Sequence, residues 1–437
     1  MFETLKNAWK LPDLKKKLLF TLFIIVLYRL GTTIPVPFVN AAALEGSLAA
    51  SGSIFEYFNI LTGSAFSQAT LFALGINPYI TASIVLQLLC IAIPALEKLS
   101  KQGEEGQKKI NQYTRYVTVA LGLITAIGYY MLLNSYSGVL TQSGWFVAVV
   151  MVACYCAGSA LVMWLAEKVN DQGIGNGISI ILFANIISRI PSFFGQLLNL
   201  VMGKYKFGDK FVPVWLGIII AVLAIALAAA LIGFIVWMTN SERRIPVQYA
   251  KRVVGRKMYG GQSSNLPIKV NMVGVMPIIF ASSIVSIFPT IKMFARPAAG
   301  SFWDKFFGFF DSDKIPYVII TFVLLIFFAY FYTSISFNPV EVANNMKQNG
   351  GSVPGIRPGR PTSDYITKIL NKVTLIGAIL LAVVDILPMI VNIASGGKLS
   401  GLAFGGSSII IVVGVILETI REIEAQMTMR HYKGFLE

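Results

Sequence analysis

Gly75-Ile76-Asn77-Pro78-Tyr79-Ile80-Thr81-Ala82-Ser83 returns in the second half of the chain as Gly274-Val275-Met276-Pro277-Ile278-Ile279-Phe280-Ala281-Ser282. Both stretches fit Gly-x-x-Pro-x-Ile-x-Ala-Ser, and each opens a long apolar segment. Gly and Pro near the start of a membrane helix break the backbone ladder. Such a break is tolerated only where protein or a water-filled cavity covers it. Interrupted helices at matching places in two halves of a chain point to a pathway between the halves.

The composition fits that reading. The 437 residues are 55% hydrophobic and only 13% charged, where a soluble domain carries about 25%. Apolar runs of about 20 residues cross a bilayer, and ten are expected, roughly at 18–35, 70–94, 116–134, 145–166, 177–199, 214–238, 271–291, 316–337, 373–393 and 404–420. The expected fold class is all-α, a polytopic membrane protein without a separate soluble domain. Lys15-Lys16-Lys17, an apolar run and Ala41-Ala42-Ala43 imitate a cleaved leader. That run is too long and contains Arg29, so it reads as the first span.

Lys/Arg excess marks the cytoplasmic side. Lys6, Lys10 and Lys15–Lys17 precede the first span, and Lys98, Lys101, Lys108, Lys109 and Arg115 crowd the second connection. Both termini are expected inside. Two outer loops run against the trend: one carries Lys204, Lys206 and Lys210, the other Lys292, Arg296, Lys305 and Lys314, the latter offset by Asp304, Asp311 and Asp313. The two repeat phrases open spans two and seven. Five spans separate them, so a five-plus-five duplication must be inverted. Residues 1–200 and 201–437 are the expected halves.

Several connections carry character of their own. Ser53-Ile54-Phe55-Glu56 is a capping box ahead of an apolar stretch. A helix over about 54–62 is too short to span and too apolar for water, with Ile54, Phe55, Phe58 and Leu61. It is either a rim helix on the bundle or a re-entrant plug. Gly173-Ile174-Gly175-Asn176-Gly177 suggests an unwound entry to span five; lacking a following Lys-Ser/Thr and a preceding strand, it is not a nucleotide loop. Gly405-Gly406-Ser407-Ser408 opens span ten similarly. The loop 239–270 sets seven basic residues against Glu242 alone. Positive-inside bias and attraction to anionic lipid account for part of this. Ile245, Val247 and Tyr249 alternate with polar or helix-breaking neighbours, however, which predicts an ordered hairpin. An ordered basic protrusion suits an acidic protein or structured RNA. Loop 338–372 is alike, with Pro354-Gly355-Ile356-Arg357-Pro358-Gly359-Arg360-Pro361 fixing turns.

Intramembrane charge is restricted to Arg29, Arg189 and Asp385, and Asp385 needs a partner or a water-lined wall. Cys90, Cys154 and Cys156 lie in expected spans and read as small buried residues rather than a disulfide framework. His431 is the one histidine and sits in the tail. No cofactor or metal site is expected, and no catalytic pair lies in any span, so an enzyme is not expected. An ion-coupled secondary transporter built on inverted repeats, using Asp385 and Asn176, stands as the alternative.

The chain resembles the bacterial SecY family, the channel subunits of the general protein-translocation machinery. The resemblance runs the whole length. It rests on the first repeat phrase, Gln112-Tyr113-Thr114-Arg115-Tyr116, Gly173 through Ile180, Arg243-Arg244-Ile245 with Tyr249-Ala250-Lys251-Arg252, Leu266-Pro267-Ile268-Lys269-Val270-Asn271, and Pro354 through Gly359. Asn77 departs from the family pattern. The resemblance implies an hourglass pore between two five-helix halves, closed by an apolar ring placed at Ile80, Ile84, Ile178, Leu182, Ile279 and Ile411. It implies a seam between spans two and seven that opens toward lipid, with Thr81, Gln87, Ser282 and Ser283 as polar contacts. It identifies 53–67 with the family's plug. It assigns docking of a driver, the ribosome or the SecA ATPase, to Arg243, Arg244, Lys251, Arg252 and Arg357. It also implies SecE and SecG as membrane partners, secretory polypeptides with signal sequences as passengers, and the bacterial cytoplasmic membrane as location.

Overall fold

The computed structural model describes residues 2–49, 59, 62–203, 206–207, 210–211, 213–249, 252–254, 257–259, 263–272, 274–295, 297, 300–311, 314–394 and 406–433. Each of the ten expected spans has its helix. The chain opens with α1 (Phe2–Lys10), α2 (Pro12–Gly31) and α3 (Ala41–Ala49). Next come α4 (Asn77–Ala92), α5 (Pro94–Ser100), α6 (Glu104–Asn134) and α7 (Trp145–Gln172). Then follow α8 (Gly177–Ile187), α9 (Ile190–Val201), a small hairpin β1 (Lys206–Phe207) and β2 (Lys210–Phe211), and α10 (Val214–Asn240). The strands β3 (Glu242–Tyr249), β4 (Arg252–Val254), β5 (Lys257–Tyr259) and β6 (Ser263–Lys269) precede α11 (Met276–Ala295). The chain continues with α12 (Phe302–Gly308), α13 (Ile315–Ser336), α14 (Pro339–Gln348), β7 (Gly351–Ser352), α15 (Arg360–Ala394) and α16 (Gly406–Lys433).

Six described helical stretches are long and apolar enough to cross a membrane, with α8 and α9 counted together as Gly177–Val201; there are seven if the bent pair α4–α5 counts as one span, and Met276–Lys292 is a shorter apolar helix. Two of the remaining expected spans carry charge. The first, α2, holds Asp13, Lys15, Lys16, Lys17 and Arg29, while α16 is charged from Glu418 onward.

The structure corrects several boundaries, each for a local reason. The first span is Pro12–Gly31 rather than 18–35, because Pro12 fits the first helical turn and Asp13 meets its positive end. Residues 63–76 are turns rather than the start of span two. The far end of that span bends by 106° at Ile93, which Pro94 forces into an extended conformation (φ −109°, ψ 113°). Span five is broken at Ser188–Arg189, just ahead of Pro191. Spans nine and ten run beyond the apolar stretches as polar extensions, Arg360 onward and through Lys433.

The expected hairpin in loop 239–270 is present. β3 pairs antiparallel with β6, Glu242 opposite Lys269 and Ile245 opposite Leu266, and β4 pairs with β5 toward its tip. The sheet has a third strand that sequence reading did not foresee: β7, from the other basic loop, pairs with Gln248 and Tyr249.

Packing follows the chain in each half. α4 lies on α6, α6 on α7 and α7 on α8, while α11 lies on α13, α13 on α15, and α15 on α16. The two sets meet along two lines, α4 and α6 against α11, and α8 against α16.

Candidate functional site: apolar cluster, seam and basic-loop body

The two repeat phrases start their helices in the same way. Gly75 (φ +58°) and Gly274 (φ +68°) both occupy the left-handed region, where a side chain is strained. Each is followed two residues later by a helix whose second residue is proline, Pro78 in α4 and Pro277 in α11. There the missing N–H costs nothing. The amides of Ile80 and Ile279 then close the first turn onto Ile76 and Val275, at 3.1 and 3.2 Å. The two isoleucines therefore hold one position in two equivalent helix starts.

The entry to span five is also built by local chemistry. Gly175 (φ +88°) turns the chain, and the Asn176 side chain caps α8 by accepting from the amides of Ile178 (3.0 Å) and Ser179 (3.4 Å). The Gly177 amide donates to Asn170 (2.7 Å). This fixes Ile178 and Leu182, one turn apart, on a short helix.

The six expected ring residues come from four helices, α4, α8, α11 and α16. All are buried, Ile178 at 8% exposure and the others at 3% or less, and all belong to one contiguous apolar cluster. Around Ile411 the neighbours Ile409 and Ile410 are buried in the same cluster.

The four seam residues do not form one group. Thr81 and Ser283 share a cavity of about 270 Å³, with Asn77, Thr125, Ser286 and Thr290 among its lining, between α4, α6 and α11. Its hydroxyls donate back along their own helices: Thr81 to Asn77 (3.1 Å), Ser283 to Ile279 (2.6 Å), Ser286 to Ser283 (2.7 Å). Ser282 likewise bonds Ile279 (3.0 Å) but lies outside that lining. Gln87 sits apart, about a turn from the end of α4. Its amide donates to Ser83 (3.2 Å), and its carbonyl accepts a short hydrogen bond from the Tyr332 hydroxyl of α13. Tyr332 and its neighbour Phe280, 4.9 Å between ring centroids, were not singled out from sequence. Tyr332 lies in a run of aromatics, and Phe280 lies inside the second repeat phrase, where nothing marks it out from its apolar neighbours.

The two basic loops form one body. Ile245, Val247, Ile268, Met346, Val353, Ile366 and Leu370 make a core of their own beneath the three-stranded sheet. Arg243, Arg244 and Arg357 stand exposed on it. Arg244 pairs with Glu242 (2.7 Å), and the Arg357 carbonyl is held by Thr362 (2.8 Å). Burial, with Arg421 nearby, holds the Lys269 amine below the usual lysine range against the pull of Glu242. Lys251 and the side chain of Arg252 lie outside the described residues, as do the plug candidates Ile54, Phe55, Phe58 and Leu61.

The three intramembrane charges singled out from sequence each find a distinct setting; Glu418, inside the expected tenth span, is a further charge that reading passed over. Arg29 donates to backbone carbonyls of α8. Asp385, 1% exposed, accepts from the amide and hydroxyl of Ser407 at the start of α16. Arg189 sits at the break between α8 and α9. Among the described residues no group of three His, Cys, Asp or Glu side chains is placed to hold a metal.

Solved structures share this architecture. One described as the structure of a protein conducting channel matches with a TM-score of 0.68, 17% identity and 96% of each chain covered. Sec61 in the canine ribosome–channel complex from the endoplasmic reticulum matches with a TM-score of 0.64, again at 17% identity over 96% of each chain. The fold is thus that of the protein-conducting channels. The SecY family model matches residues 70–420. The protein translocase subunit SecY of Streptomyces coelicolor is 44% identical over 453 residues, and that of Mycobacterium bovis 41% over 456, with both chains covered in full in each case. The chain belongs to the SecY family. It is a protein-conducting channel subunit and not an enzyme, and the transporter alternative falls away.

Proposed function

We propose that residues 1–200 and 201–437 are inverted halves around a conduit for unfolded polypeptide, with Ile80, Ile84, Ile178, Leu182, Ile279 and Ile411 as its closing ring. The observation that carries this is the convergence of six aliphatic side chains, from four helices, on one buried cluster. A narrow apolar constriction sheds water and so bars ions. Aliphatic groups accommodate any passing side chain, because dispersion contacts carry no directional demand.

Selectivity then belongs to the seam between α4 and α11, where Thr81, Gln87, Ser282 and Ser283 stand. An apolar signal segment entering there gains about 25 cal/mol for each Å² of apolar surface it buries. The cavity beside Thr81 and Ser283 supports this position, since it marks where the α4–α11 contact is already incomplete. Residues 53–67 act as the plug on the outer side.

The chain has no nucleotide loop, so work comes from a partner. The cytosolic body bearing Arg243, Arg244, Lys251, Arg252 and Arg357 receives it, from the SecA motor or from a ribosome. The solved ribosome–channel complex of a Sec61 relative supports the second of these. SecE and SecG complete the membrane assembly. The location is the bacterial cytoplasmic membrane, with anionic lipid around the basic loops.

The deciding experiment is site-directed cross-linking. A secretory polypeptide arrested in transit should react with probes at positions 80 and 279. Probes on lipid-facing residues such as Leu223 should stay silent. Equal labelling at all three sites would end the proposal.

A further inference from the structure

Arg29 is a charge inside a membrane helix, and the ring and seam leave it unexplained. It is half-buried near the end of α2. Its guanidinium Nη2 donates to the carbonyl of Ala184 (2.6 Å) and, more weakly, to that of Asn185 (3.4 Å). Both carbonyls belong to the last turn of α8, ahead of Pro191, where the Ser188 amide also donates to Ala184 (3.3 Å) and the Ser188 hydroxyl to Asn185 (2.7 Å). Each carbonyl oxygen has a second lone pair, and the end of a helix carries a partial negative charge, so a cation there is favourably placed.

The same guanidinium meets a third element. Gly63 has φ +61°, and a Cβ placed on it would lie 2.8 Å from Arg29 Nη1 and 3.0 Å from the Asn185 side-chain oxygen. Gly63 is thus seated against the cation and the end of α8, with no room for a side chain. Its neighbour Thr62, 1% exposed, anchors the following turn by accepting from the Phe66 amide (3.2 Å). Thr62 also lies against Gly75, where a Cβ would sit 3.2 Å from its methyl group. Gly75 is the glycine that starts α4. A continuous path of contacts runs from the α8 end through Arg29, Gly63 and Thr62 to Gly75, five residues before Ile80.

We infer that Arg29 is a positioning residue of the closed channel: it clamps the end of α8, which carries Ile178 and Leu182, to Gly63 and Thr62 of the proposed plug segment, and through Thr62 to Gly75 ahead of α4, which carries Ile80 and Ile84. One cation sets two arms of the ring against each other. The inference rests on the ring reading above, and the test separates the two.

The test uses the channel purified with its membrane partners and reconstituted in planar bilayers. Loss of one charge-assisted hydrogen bond should raise the resting open probability of Arg29→Gln about tenfold or more. Arg29→Lys should fall between Arg29→Gln and the parent. Gly63→Ala, which crowds the same guanidinium, should act in the same direction, and the double variant should leak no more than the stronger single one. Export of a precursor with a crippled signal should rise in both, a gain that mere misfolding does not give. The control is Ile80→Gly with Ile279→Gly. If the control leaks and Arg29→Gln does not, the clamp is wrong and the ring stands. If neither leaks, both readings fall. Should Arg29→Gln fail to accumulate, parental leak in Gly63→Ala overturns the clamp, as would additive leak in the double variant.

Discussion

Replacing Tyr332 by Phe removes one hydroxyl from the α4–α13 contact and little else. The ring keeps its place against Phe280, 4.9 Å between centroids, so the packing of the seam is retained. What is lost is the donor to the Gln87 carbonyl, while the Gln87 amide keeps its bond to Ser83 (3.2 Å). A net hydrogen bond is worth about 0.5–1.5 kcal/mol, and a stranded buried acceptor costs about 1–3. Gln87 is half-buried, so water or lipid headgroups recover part of that loss. We take about 1 kcal/mol, which shifts the closed–open balance of the seam about fivefold toward open. The seam can be read by placing cysteines at Thr81 and Ser283, which line one cavity from opposite helices. The native Cys90, Cys154 and Cys156 are first replaced by serine or alanine. A short bifunctional thiol reagent should then bridge 81 and 283 more slowly in Tyr332→Phe, in step with the rarer closed state. Gln87→Leu should match it, and the pair should add nothing to either. An unchanged bridging rate with normal membrane insertion would show that this bond does not hold the seam.

Three further outcomes are expected. Ile80→Gly with Ile279→Gly, which removes two side chains each 2% exposed, should raise ion leakage through resting channels; unchanged single-channel currents would remove the ring. Arg357→Glu should block motor-driven export while the chain remains inserted, because its exposed side chain reverses charge without touching a core; normal transport by reconstituted channels would contradict the docking assignment. Ile366→Ala, at a fully buried position in the cytosolic core, should destabilise that body by about 2–5 kcal/mol and open residues 242–269 to protease, with the spans still in the membrane; parental protease resistance would mean the two loops do not share a core.

The sequence made the helix starts legible because their chemistry is local. Gly at positive φ, Pro at the second helical position and Asn at an N-cap each act within a few residues, so the two phrases and the Gly173–Gly177 entry read correctly. Alternating Ile245 and Val247 exposed the hairpin for the same reason. Breaks within spans were harder. An apolar window passes over Ile93-Pro94 and Arg189-Ile190-Pro191 without a dip, although the prolines stand in plain view. Contacts between distant segments were not legible at all. β7 is two residues long, and nothing in Gly351-Ser352 announces a partner near Tyr249. Tyr332 sits in a run of aromatics with nothing to single it out, and Arg29 gave its charge but not the carbonyls it answers.

The joined loops bear on how force reaches the conduit. β3 and β6 leave α10 and enter α11, and β7 lies between α13 and α15, so one small core ties neighbouring ends of four spans from the second half. On the proposed docking, a push on Arg243, Arg244 or Arg357 would move those spans together rather than one at a time. Polar bonds tie the two halves on the α8–α16 side. The Gly175 amide donates to Glu422 (2.7 Å) and Lys17 to Gln426 (3.2 Å), with α8 packed on α16 behind them. On the α4–α11 side the helices meet across apolar surface and a cavity, with Gln87 and Tyr332 bridging nearby. A load on the cytosolic body would then turn the second half about the α8–α16 contact, and the weaker α4–α11 line would part first. On the proposed ring, that motion would separate Ile279 from Ile80 and leave Ile178, Leu182 and Ile411 together on the α8–α16 side. The throat would open toward the seam rather than dilate evenly.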